Sequence, residues 1–191
     1  MFCSCGRRVQ LFKFLKESLG DSCKIIATDV QSIAPALYAA DEHYLTPRID
    51  APNYVDTILK IAIDNDVKAI TTLIDPEIEL LAKNRDLFEE HGIIVLAPSK
   101  ETAAYCFDKY KMFCYLKKNN IRTVLTYDTL EHFKEGHNKH EISFPVFIKP
   151  RTGSGSVGIH KCSNMNELEN YFSEGKFDYI IQEFMDCEDC D

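Results

Sequence analysis

Three short apolar runs constrain the first half of this sequence more than any other feature. Cys23–Ala27, Ala69–Ile74 and Ile93–Leu96 are β-rich and close at Thr28-Asp29, Asp75-Pro76 and Ala97-Pro98. Short runs made mostly of apolar and β-branched residues suit strands buried on both faces, the condition of a parallel sheet. Helical patterns lie between them. Val9, Phe12, Leu15 and Leu19 recur at helical spacing across Arg7–Leu19, with Gly20 placed to end the helix. After Asn53, a candidate N-cap, Tyr54, Ile58, Ile61 and Ile63 repeat the pattern, and Ile78, Leu81 and Leu87 carry a further helix on to His91-Gly92. The stretch around Pro35 and Tyr44-Leu45-Thr46-Pro47 reads as loop. Strands alternating with such helices specify βαβ units, so residues 1–107 are expected to form a doubly wound α/β domain.

From Asp108 onward the order of elements changes. Ser99–Tyr105 reads as a linking helix, and Asp108 is a good N-cap for a second helix starting at Lys109. A short strand around Val124, a helix over Thr129–Lys134 and a polar loop with His132, His137 and His140 follow. The pattern predicts a strand at Phe144–Lys149, a glycine loop at Pro150–Ser156, a second strand at Val157–Cys162, a helix at Asn164–Phe172 and a third strand at Tyr179–Met185. Residues 108–191 are therefore expected to form an α+β unit.

The chemistry is concentrated in the stretch from Phe144 to Gly158. Gly153, Gly155 and Gly158 spell G-x-G-x-x-G, but a dinucleotide fingerprint must open a helix directly after its strand, and here the loop runs into an alternating strand. A helix immediately after Gly158 would restore the oxidoreductase reading, and a strand there discards it. Strand, glycine loop and strand make a flap whose backbone N–H groups can cradle an anion. Lys149 stands at the end of the first strand, where its ammonium can act as a point charge on phosphate. Tyr179–Met185 is an apolar strand that ends near the carboxylate of Glu183.

These residues resemble the ATP-grasp enzymes, with the large subunit of carbamoyl-phosphate synthase and related carboxylate-amine ligases nearest in look. The resemblance runs through nearly the whole chain: an α/β pre-ATP-grasp (Rossmann-like) domain, Asp108-Lys109 opening a helix that ends in Lys-Lys-Asn-Asn-Ile, Phe-Pro-Val-Phe-Ile-Lys-Pro with its flap, and Ile180-Ile-Gln-Glu183-Phe-Met185. It implies that Lys109 and Lys149 contact ATP phosphates, that Gly153, Ser154 and Gly155 cover them, and that Glu183, Phe184 and Met185 form the hinge that holds adenine. It also implies Mg²⁺-dependent phosphorylation of a small carboxylate to an acyl phosphate, captured by an amine or another nucleophile. In the family the Mg²⁺ ligands lie on strands downstream of the hinge, whereas this sequence ends at Asp191. The expectation is therefore the first part of an ATP-grasp domain, with no metal ligand and no catalytic residue assigned. The rest of the site would come from a second chain or a homo-oligomer. A non-catalytic nucleotide-binding or assembly module completed by a separate chain is the alternative.

Weaker signals complete the reading. Gly6 and Arg7, in a strand-to-helix turn that could receive an anion, join Asp75 and Glu77, at a strand's carboxyl end, as a candidate substrate crevice. Asp75-Pro76 is equally an ordinary helix start. Cys3-x-Cys5 and Cys187-x-x-Cys190 would supply four thiolates for zinc, but the first spacing is odd for such a site. Cys23, Cys106, Cys114 and Cys162 sit in apolar periodic segments and are expected to be reduced and buried, as in a cytoplasmic protein. With 22 Lys+Arg against 30 Asp+Glu the net charge is −8, which argues against a nucleic-acid partner. No apolar run approaches the roughly 18 residues of a membrane span.

Overall fold

The computed structural model describes residues 1–186. The chain divides into two compact units, Met1–Ala103 and Ala104–Asp191.

The first unit contains α1 (Val9–Leu19), β1 (Ile26–Asp29), a 3₁₀ turn at Pro35–Ala39, β2 (Glu42–Leu45), α2 (Tyr54–Asp64), β3 (Ala69–Ile70), α3 (Asp75–Lys83), α4 (Arg85–Glu89) and β4 (Ile94–Val95). Two parallel ladders, β1 with β2 and β3 with β4, are joined through Phe2, which bridges Ala27 on one side and Thr71 on the other. The Phe2 N–H donates to Ile26 O (2.8 Å) and its carbonyl accepts from Thr28 N (2.9 Å). On the opposite side Cys3 N donates to Thr71 O (2.8 Å) and Thr71 N to Met1 O (3.0 Å). All four residues of β1 are buried, as a central parallel strand requires. One sheet face packs Phe2, Ala27 and Leu37 against Phe12 of α1. The other packs Ile26, Ile70 and Val95 against Ile58, Leu81 and Phe88 of α2, α3 and α4. Helices on both faces of a parallel sheet are the expected doubly wound arrangement.

The structure departs from the sequence expectation at several points. Glu42–Leu45, read as loop, is β2. It is a sheet-edge strand of alternating exposure, but Glu42 lies on the half-buried face and Leu45 on the exposed one, so no hydrophobic period marks it. Within the run Ala69–Ile74 only Ala69–Ile70 pairs with β4; Thr71 turns to Phe2, and Ile74 precedes α3. The helix expected to reach His91 breaks at Asn84 into α3 and α4. Asn53 precedes α2 without a capping side-chain bond. Among the cysteines, Cys162 is buried and Cys23 half-buried, but Cys106 and Cys114 are exposed on helix faces turned to solvent. Periodicity marks a helix without saying which face of it is covered.

The edge of β4 is covered from within the unit. The guanidinium of Arg85 donates to Val95 O (2.9 Å), Ala97 O (2.5 Å) and Pro98 O (3.0 Å). Backbone acceptors that would otherwise template another strand are thereby occupied.

In the second unit α5 (Lys100–Phe107), within which the division falls, is followed by α6 (Lys109–Lys118), β5 (Thr126–Tyr127), α7 (Leu130–Asn138), β6 (Val146–Pro150), β7 (His160–Cys162), α8 (Met165–Glu174) and β8 (Tyr179–Glu183). The strands form one antiparallel sheet in the order β5-β8-β6-β7. Period-two alternation sends Val146 and Ile148 of β6 into a core with Phe133 of α7 and Leu168 of α8. Phe147 and Lys149 therefore take the opposite face. Asp108, Thr129 and Asn164 cap α6, α7 and α8 through their side chains, as their residue types predict.

Candidate functional site

Residues after Gly158 continue as β7, antiparallel to β6, so the glycine stretch is a flap between two strands. No helix opens at Gly158, and the oxidoreductase reading falls with it. Gly158 closes the flap at φ +73°, and a Cβ there would lie 2.9 Å from Phe177 Cε2 and 3.0 Å from Pro150 Cγ. Gly158→Ala is expected to destabilise the second unit by about 2–4 kcal/mol, combining backbone strain with overpacking. A urea titration that finds the variant within 0.5 kcal/mol of the parent, about the scatter of surface substitutions, contradicts this.

Beneath the flap lies a cavity of about 410 Å³ whose wall includes Lys109, Lys149, Gly153, Ser154, Gly155 and Phe177. Lys109 and Lys149 also border a smaller cavity of about 180 Å³, with Cys106, Phe113, Thr123 and Gln182. The two lysines thus border both cavities. Lys109 Nζ donates to Gly153 O (2.8 Å), holding the flap backbone. Lys149 is half-buried and, among the described residues, has no ion-pair or hydrogen-bond partner for its ammonium. Burial, and then the neighbouring charge of Lys109, push its ammonium below the ordinary lysine range.

Both lysines are held through their sequence neighbours. Asp108 accepts from Tyr110 N and Lys111 N (3.0 Å each) at the start of α6. The same carboxylate takes Arg151 Nε with both oxygens at 2.9 Å. Lys109 N donates to Arg151 O (3.0 Å), and the Arg151 guanidinium lies 5.5 Å over the Tyr110 ring. Sequence reasoning missed this pair. No local signal pointed to it, because the two residues lie 43 positions apart.

At the end of β8, where the resemblance puts the adenine hinge, Glu183 is tied into the sheet: its N–H donates to Leu125 O (3.0 Å), and its carboxylate accepts from Leu125 N (2.8 Å). Phe184 stacks on Phe147 at 5.6 Å with 6° between the rings, and Lys161 Nζ sits 3.8 Å from the Phe184 ring centre. Met185 is exposed. The Glu183 N–H is thus already spent, and the Phe184 ring is engaged by Phe147 and Lys161.

The candidate substrate-crevice residues have other occupations in the first unit. Gly6 N–H does meet an anion, but it is the Asp29 carboxylate at 2.8 Å. Arg7 is exposed and Asp75 is the exposed first residue of α3. Glu77 is fully buried and accepts from the hydroxyls of Tyr54 and Thr72. Burial pushes its carboxyl above the ordinary glutamate value. Cys3 and Cys5 are buried, and desolvation raises both thiols, Cys5 to about 11. Cys187 and Cys190, the other half of the zinc set weighed from the sequence, lie outside the described residues.

Among the described residues no three His, Cys, Asp or Glu side chains converge as a metal-ion site. The described residues therefore do not by themselves supply the oxygen-ligand shell that Mg²⁺ takes. No helix among them is long and apolar enough to cross a membrane.

Comparison with known proteins agrees with this arrangement. Residues 1–96 match the family model described as PylC-like, N-terminal domain, and residues 116–190 match D-ala D-ala ligase C-terminus. The small subunit of 2-oxoglutarate carboxylase from Hydrogenobacter thermophilus is 27% identical over 186 residues, spanning 89% of this chain and 39% of that protein. D-alanine–D-alanine ligase B of Clostridium perfringens is 34% identical over 89 residues, spanning 44% of this chain and 29% of that one. Among solved structures, the biotin carboxylase domain of the Hydrogenobacter enzyme, determined with MgADP, ADP and bicarbonate, superposes with a TM-score of 0.73 at 22% identity, over 97% of this chain and 44% of that one. N5-carboxyaminoimidazole synthetase from Staphylococcus aureus, in complex with ADP, gives a TM-score of 0.74 at 14% identity, over 98% and 47%. At those identities the structures speak for the fold alone. The chain thus spans less than half the length of these relatives. With the PylC-like model covering half the sequence and the D-ala D-ala ligase model following it, the chain belongs to the ATP-grasp carboxylate-amine ligases and corresponds to their N-terminal part.

Proposed function

We propose that this chain provides the triphosphate-binding half of an ATP-dependent ligase that activates a small carboxylate. One observation carries the proposal: Lys149, half-buried and without a counter-charge among the described residues, stands beside Lys109 under a glycine flap. A buried cation without a partner is costly, and an arriving polyanion would supply the missing charge. Lys109 and Lys149 would hold the phosphate chain, while flap N–H groups from Gly153 to Gly155 would close over it and exclude water. The hinge would meet adenine through the backbone of Phe184 and Met185, since Glu183 serves Leu125. When bound, ATP supplies the phosphoryl group that turns a carboxylate into an acyl phosphate.

The narrower reading, kinship with the carbamoyl-phosphate synthase large subunit, rests on sequence motifs alone, and the relatives reported above are a carboxylase subunit and a D-alanine–D-alanine ligase. The proposal therefore stands at the level of carboxylate activation. Mg²⁺ belongs to it through the MgADP-bound relative, with ligands outside the set described above. The described cysteines are free thiols, which fits a reducing, cytoplasmic setting.

The second reading, a nucleotide-binding module without turnover until another chain joins it, is favoured by the lack of converging acidic side chains among the described residues. Calorimetric titration with ATP, ADP and adenosine, followed by assay of ADP release with bicarbonate or D-alanine, separates the two. Saturable ATP binding supports both readings, and carboxylate-dependent ADP release selects the ligase. No heat at millimolar ATP sinks both.

A further inference from the structure

The geometry points to Arg151 as the positioning residue of the lysine pair, acting through Asp108 to fix the distance between the Lys109 and Lys149 ammonium groups. The inference rests on the nucleotide reading above and extends it to a residue that need not touch the nucleotide.

Three connections carry it. Lys149 lies on β6, two positions before Arg151, so the backbone that carries one also places the other. Lys109 directly follows Asp108, and its N–H is bound by the Arg151 carbonyl at 3.0 Å. The Asp108 carboxylate, itself buried, receives Arg151 Nε on both oxygens while capping α6. The start of α6 is thereby tied to the end of β6 twice, once by side chains and once by backbone. Arg151 is anchored again by its N–H to Asp178 O (2.7 Å) and by the Tyr110 ring beneath its guanidinium. Such a closed loop opposes the mutual repulsion of two ammonium groups, which alone would drive α6 and β6 apart. Holding charges where phosphate oxygens will arrive, before they arrive, is what preorganisation requires. Lysine at position 151 would keep the charge but lose both the fixed Nε–H that the two carboxylate oxygens share and the guanidinium plane that lies over Tyr110.

The test uses the full chain with adenosine, AMP, ADP and ATP as probes. In the parent, affinity should climb with each added phosphate. Arg151→Gln, Arg151→Lys and Asp108→Asn should each lose about tenfold or more of the advantage of ATP over AMP, while AMP binds within about twofold of the parent, as expected when a charged clamp is misplaced but the site survives. The double variant Arg151→Gln/Asp108→Asn should lose no more than either single change, since both break one linkage. Retained AMP affinity also certifies that the variants are folded. In parallel, the Lys149 ammonium titration, followed by heteronuclear NMR without nucleotide, should move back toward ordinary lysine in Arg151→Gln as Lys109 draws away.

Full ATP preference in Arg151→Gln, or its rescue by Arg151→Lys, overturns the positioning role and leaves nucleotide binding standing. Loss in Arg151→Gln without loss in Asp108→Asn overturns it too, because Arg151 would then meet phosphate itself. A parent that binds adenosine and ATP alike overturns the nucleotide reading, and with it this one.

Discussion

Lys149→Ala should weaken ATP binding about 30- to 100-fold, equivalent to roughly 2–3 kcal/mol for a charged contact in a partly desolvated site. The same position should be neutral or better for folding. Its ammonium is half-buried, faces Lys109 and has no partner among the described residues, so the folded state bears a desolvation and repulsion cost that the unfolded chain does not. Lys149→Met, which keeps the stem, should therefore raise stability by up to about 1 kcal/mol while abolishing the ATP gain. The pH dependence has a definite sign. A lysine whose folded pKa is lowered binds fewer protons folded than unfolded, so its penalty is full below the folded pKa and fades as pH rises through it. Chemical denaturation of parent and Lys149→Met between neutral and alkaline pH should converge toward the top of that window. A variant that is less stable than the parent and still binds ATP normally would mark Lys149 as ordinary structure.

Glu77→Leu is the change expected to cost most in stability, about 3–4 kcal/mol, because it strands the hydroxyls of Tyr54 and Thr72 in a site from which water is excluded. Glu77→Gln keeps an acceptor and should cost roughly half as much near neutral pH. The carboxyl is raised above its ordinary value of 4.5, so the native state holds a proton that the unfolded chain releases. Stability from this group is complete below that value and declines as pH rises from it toward the folded pKa. Glu77→Gln should flatten that slope. Equal slopes in parent and Glu77→Gln, in urea titrations from acid to neutral pH, would show that Glu77 titrates as if exposed.

Legibility in the sequence followed the range over which each feature is encoded. Caps are local, and Asp108 could be read from residue type and position, although Asn53, read in the same way, makes no capping bond. The flap was legible for the same reason, because glycines between two alternating runs constrain one short stretch. β2 was not, since its half-buried face carries Glu42 and its exposed face Leu45, so no apolar alternation sets it apart from loop. The Asp108–Arg151 linkage spans 43 positions, and nothing in either neighbourhood announces the other. Glu77 illustrates the converse: its place after a strand suggested an open crevice, but Tyr54 and Thr72 arrive from separate elements and close over it. What a carboxylate does depends on what the fold brings to it.

The bridge at Phe2 has a consequence for the order of events during synthesis. Because one residue near the start of the sequence joins Ala27 on one side to Thr71 on the other, the middle of the first unit's sheet cannot close until the chain beyond Thr71 has been made. The β1–β2 ladder can form earlier, but it then presents an unpaired inner edge to its surroundings, and such edges attract the wrong strands. Long-range closure of this kind is slow compared with helix formation. The most exposed moment in the life of this unit therefore falls between the making of its first strand pair and the arrival of its second.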